Sequence, residues 1–118
     1  MRVHHIALRT ADVARLERFY VGVLGLPVRE RRATGSVWLD ADGVIVMLER
    51  AEDGEPGIVA SSKELVAFEI EVDALPEALR RLAAAGVGVE ARTEFTCYVR
   101  DPDGRRVAVS HYPHAPRA

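Results

Sequence analysis

Apolar and polar residues alternate from Val3 to Thr10, with Ile6 and Leu8 on one side and His5, Ala7 and Arg9 on the other, which predicts a strand with one packed face. The period then changes. Val13, Leu16, Phe19, Tyr20 and Val23 recur at helical spacing behind Asp12, which is suited to cap a helix, and Gly25 supplies the stop. Leu26 to Arg32, Val37 to Leu39 and Val44 to Glu49 read as three short strands. Asp40-Ala41-Asp42-Gly43 joins the last two, because Asp-Gly accepts the positive φ of a hairpin turn. The first unit is βαβββ.

The pattern repeats. Glu64 to Val72 is a strand with Phe68, Ile70 and Val72 on its packed face and Ala67, Glu69 and Glu71 on the other. Asp73 is expected to cap a second helix, with Pro76 in its first turn, a stripe of Leu75, Leu79, Leu82 and Ala83, and Gly86 at its end. Val87 to Arg92, Thr96 to Arg100 and Arg105 to His111 complete a second βαβββ unit. Its hairpin turn, Asp101-Pro102-Asp103-Gly104, follows the first by 61 residues, the interval that also separates Asp12 from Asp73 and Gly25 from Gly86. Residues 51–63, rich in Gly, Pro, Ser and charge, read as a linker, and Pro113 to Ala118 as a loose tail. The expectation is one α+β domain over residues 1–118, with module one at about 1–50 and module two at about 64–112.

Composition narrows the possible roles. With 118 residues and 48% hydrophobic content, the chain can bury one ordinary core, and each half alone would be marginal. A net charge of −2 with both signs interspersed offers no basic field for a phosphate backbone, so nucleic acid is not an expected partner. No apolar run is long enough to span a bilayer, and Met1-Arg2-Val3-His4-His5 leads directly into a strand pattern, so no membrane association and a cytoplasmic location are expected. The single cysteine, Cys97, excludes an intramolecular disulfide and a multi-cysteine metal site, and it reads as a small buried hydrophobe.

His5-Ile6-Ala7-Leu8, Asp12, Phe19-Tyr20, Leu24-Gly25-Leu26 and Asp101-Pro102-Asp103-Gly104, in that order, resemble the signature of the vicinal oxygen chelate superfamily. That group includes glyoxalase I, bleomycin-resistance proteins, fosfomycin-modifying enzymes and extradiol dioxygenases. The resemblance spans Val3 to Tyr112. It implies paired βαβββ modules whose sheets curl into a cup, with up to four side chains holding one divalent metal. The implied ligand positions match His5, Met47, Ala67 and Ala108, of which His5 alone is a metal ligand of the usual kind.

A metal site of this type needs about three side-chain donors. A fallback set of His5, Glu49 and Glu69 would need two donors displaced by one strand period from Met47 and Ala67. The leading expectation is instead a metal-independent protein that binds a small organic molecule without a cofactor. Its site would comprise His5, Met47, Ala67, Glu69, Tyr98, Arg106 and Ala108, with His5, Glu69 and Tyr98 as catalytic candidates should any reaction occur. The alternative is a metal-dependent lyase, isomerase or dioxygenase using the displaced set. A third reading, an interaction module only, applies if the cup is filled by its own side chains. Blander roles compete: His5 as an ordinary strand histidine, Arg9 and Glu71 as solvated charges, and Trp38 as core with Cys97 and Val99. A homodimer is expected, since two-fold pairing covers the edges and faces that such units leave open.

Overall fold

The computed structural model describes residues 1–114, so the last four residues of the expected tail lie outside the described chain. Two compact units emerge, Met1–Gly57 and a second that begins at Ile58. Each is built on an open four-stranded mixed sheet, which makes the architecture α+β with two βαβββ modules. Among the described residues no helix is long and apolar enough to cross a membrane.

In the first unit, β1 (His5–Thr10) lies parallel to β4 (Val44–Arg50), which is followed in the sheet by β3 (Val37–Ala41) and β2 (Val28–Arg31). Leu8, Val37, Leu39, Val46 and Leu48 are buried on one face, as alternation requires. Asp12 caps α1 (Val13–Glu17) by accepting from the Arg15 N–H at 3.0 Å. The helix then widens into a π-helix over Arg18–Val23, in which the Leu24 N–H reaches back to the Phe19 carbonyl at 3.0 Å. Leu16, Phe19 and Tyr20 are all buried along this stretch. The β3–β4 hairpin turns on two left-handed residues, Asp42 (φ 53°) and Gly43 (φ 91°).

In the second unit the order is β5 (Leu65–Glu69), β8 (Arg106–Ser110), β7 (Thr96–Arg100), β6 (Ala91–Arg92). Asp73 does not cap the second helix. It lies within a 3-10 turn, Val72–Ala74, and α2 (Leu75–Ala84) starts one residue later than expected, with Ala74 at its cap position and no side-chain cap. Pro76, with its fixed φ and missing N–H, suits the first turn that results. The strand expected to reach Val72 therefore ends at Glu69, and the one expected from Val87 shrinks to two residues at the sheet edge. Gly86 (φ 73°) ends α2 as expected, with the Val87 N–H on the Leu82 carbonyl at 2.9 Å and the Gly86 N–H on that of Ala83 at 3.0 Å.

The two hairpins differ in length. Trp38 faces Met47 across the first ladder and Tyr98 faces Ala108 across the second, so the second hairpin is one residue longer between matching positions. One residue reverses strand parity. Trp38 is therefore the counterpart of Tyr98 rather than of buried Val99; it is half-buried on the face of Met47, and its expected place in the core is corrected. The longer loop closes around Asp101, whose buried carboxylate accepts from the N–H groups of Asp103 (2.9 Å) and Arg105 (3.1 Å) and from Arg105 Nη1 (2.6 Å).

Candidate functional site

The face of the second sheet opposite its buried valines carries a hollow of about 480 Å³. Alternation selects its floor, since Leu65 and Ala67 on β5 and Ala108 on β8 share one side, and the two methyl groups leave a depression between longer neighbours. Tyr98 on β7, directly across from Ala108, forms one wall. Phe95 and Tyr112, just outside the strands, form another, with their rings edge to face at 5.3 Å. Thr93, Thr96 and Ser110 add hydroxyls. The Thr96 and Ser110 oxygens are 2.7 Å apart, and Ser110 also accepts from the Tyr112 N–H at 3.2 Å.

Sequence reasoning named three lining residues, Ala67, Tyr98 and Ala108, and the structure brings them together. It missed Phe95, Thr93 and Tyr112, which lie in turns where no period marks a face. Arg106, also on this face, stacks its guanidinium 4.3 Å from the Tyr98 centroid while its Nε donates to Glu90 at 3.0 Å. Arg100 donates to the same carboxylate at 2.8 Å and to the Ser62 carbonyl at 2.7 Å. The two guanidiniums, Arg100 foremost, hold Glu90 below the usual carboxylate range. Glu69 is exposed at the end of β5, opposite Ser110 in the ladder and one pleat beyond Ala67. Cys97 is fully buried beneath this sheet, and burial raises its thiol pKa, in keeping with a packing role.

His5 and Met47 belong to the first unit. His5 is exposed at the start of β1, its Nδ1 2.9 Å from that of His4. The ladders pair His5 with Ile45 and Ala7 with Met47, as they pair Leu65 with Arg106 and Ala67 with Ala108. The repeat counterpart of His5 is thus Leu65, and the alignment with Ala67 was displaced by one pleat. The corrected set of implied metal positions, His5, Met47, Leu65 and Ala108, fits a divalent ion no better, since a leucine replaces a methyl group. The fallback set does not form either. Glu49 pairs with Arg9, four residues along the strand from His5, a separation of about 13 Å at the usual strand rise. Among the described residues, no three His, Cys, Asp or Glu side chains are grouped to hold a metal ion.

Arg9 keeps 39% of its side chain exposed, as a solvated charge would, and is also paired. It donates twice to Glu55, at 3.0 and 2.8 Å, and lies 3.6 Å from Glu49, which ties part of the expected linker to β1.

Solved structures share this fold. A glyoxalase/dioxygenase from Nostoc punctiforme is 24% identical, with a TM-score of 0.76 over 92% of this chain and 88% of that one. An integron cassette protein from V. cholerae is 25% identical, with a TM-score of 0.74 over 95% of both chains. The fosfomycin resistance protein FosX from Listeria monocytogenes, determined as a mutant with Mn(II) and 1S,2S-dihydroxypropylphosphonic acid, is 16% identical, with a TM-score of 0.75 over 93% of this chain and 89% of that one. No curated protein sequence matches significantly. The family model of the Glyoxalase/Bleomycin resistance protein/Dioxygenase superfamily matches residues 2–109, and the chain belongs to that superfamily.

Proposed function

We propose that this protein binds a small organic molecule in the hollow of its second unit and does so without a resident metal ion. The supporting observation is the floor itself, where Leu65, Ala67 and Ala108 present only hydrocarbon beneath aromatic walls, in a volume within the usual range for ligand pockets. A lone imidazole at His5 and a thioether at Met47 suit a hydrated first-row ion poorly. Protein purified without added metal or a histidine tag should hold no stoichiometric Ni, Zn, Mn or Fe, and chelator should leave its melting temperature unchanged, because a tightly bound ion would stabilise the folded state. About one metal per chain, lost together with thermal stability in His5→Ala or Glu69→Ala, would overturn the proposal in favour of a metal-dependent lyase, isomerase or dioxygenase.

We propose further that the working form is a homodimer. Strands β1 and β2 are the edges of the first sheet and β5 and β6 those of the second, and Leu65 and Val28 are exposed large hydrophobic residues on such strands.

A further inference from the structure

We infer that the ligand of the second-unit hollow is a neutral aromatic molecule with a hydrogen-bonding oxygen, and not an anion. This deepens the binding proposal and rests on it. Three aromatic side chains, Phe95, Tyr98 and Tyr112, meet around a floor of alkyl groups, so a flat ring finds edge and face partners together with hydrocarbon contact. Among the described residues, those that line the hollow include no charged side chain.

The nearby charges offer an anion no net attraction, since Arg100 and Arg106 share Glu90 and the one charge left over is matched by Glu69. Arg106 faces the Tyr98 ring and gives its Nε to Glu90, and Arg100 shares that carboxylate and donates to the Ser62 and Gly104 carbonyls. On the other side, the exposed carboxylate of Glu69 stands opposite Ser110, where it would repel a bound carboxylate or phosphonate.

The hydroxyl pair sets the polar requirement. Ser110 accepts from the Tyr112 N–H, and of the two hydroxyls at 2.7 Å only one can donate to the other. Whichever donates, the second O–H hydrogen is left over, and an acceptor oxygen on the ligand would take it.

The test compares two probes that share a ring system, 2-naphthol and 2-naphthoate, by isothermal titration calorimetry at pH 7. The naphthol should bind at least about tenfold more tightly, a difference of about 1.4 kcal/mol. Glu69→Gln should narrow that gap by strengthening naphthoate binding. Ala67→Leu should weaken the naphthol about tenfold at unchanged melting temperature, because Ala67 is exposed and its replacement fills the floor without entering the core. Tyr112→Ala, also at an exposed position, should weaken it through loss of a wall. Naphthoate binding as tightly as naphthol would overturn the neutral-ligand inference and leave the binding proposal standing. Naphthol binding that neither Ala67→Leu nor Tyr112→Ala weakens would place the ligand elsewhere and overturn the inference. Binding of neither probe would overturn the inference and the choice of this hollow together.

Discussion

Arg106 lays its guanidinium 4.3 Å from the centroid of the Tyr98 ring, and its Nε is fixed by Glu90 at 3.0 Å. Cation, ring and carboxylate therefore hold one another in place on the open face of the second sheet. Arg106→Leu keeps alkyl cover on the ring and removes the charge, so the stability lost should be about 1 kcal/mol, read from the urea midpoint. Glu90→Gln should release the guanidinium without removing it and cost less. An Arg106→Leu variant as stable as the wild type would remove the stacking contribution.

Asp101→Ala should be far more damaging than the matching change in the other hairpin. Asp101 is buried, its carboxylate accepts three bonds, and its loss would leave Arg105, whose side chain is 11% exposed, with a 3.8 Å contact to Asp103 in place of a 2.6 Å bond. Removing one partner of such a pair costs about 3 kcal/mol. Asp40 makes a single exposed bond to the Gly43 N–H, and Asp40→Ala should cost about 0.5 kcal/mol. Denaturant midpoints of the two variants give the comparison directly; equal losses would contradict it.

Glu55 should titrate far below an ordinary glutamate. Its two bonds from Arg9, then the bond from the Glu52 N–H, draw it from 4.5 to about 2. Since the folded value is the depressed one, this pairing contributes fully above about pH 4.5 and is lost as pH falls toward 2. Carboxyl NMR should place the Glu55 transition near 2, and Arg9→Met should return it toward 4.5. A transition near 4.5 in the wild-type protein would show that the pair does not persist in solution.

Sedimentation at micromolar concentration should show a species of twice the 13.0 kDa chain mass if two-fold pairing covers the sheet edges as proposed. A 13.0 kDa species alone would refute the homodimer.

Much of the fold was legible in hydrophobic period and turn chemistry. Asp12, Gly25, Gly43 and Gly86 fall where caps, stops and turns demanded them. The placement of Trp38 erred by treating the repeat interval as constant, and the match of His5 to Ala67 by a slip along the strand. A hairpin longer by one residue moved Trp38 to the open face, and a ladder offset made Leu65 the counterpart of His5. Strand composition carries no record of either shift, because register is set where turn length and pairing meet. Glu90 was invisible for a related reason. Its meaning lies in two arginines from neighbouring strands, and only the assembled sheet brings them to it.

The pairing of Trp38 with Met47 in one unit, and of Tyr98 with Ala108 in the other, sets the relief of the two sheet faces. Beside its aromatic ring the first copy places a long thioether; beside its own the second places a methyl group. Duplication gave two equivalent ladder positions, and the short side chain at one of them accompanies the hollow of the second unit.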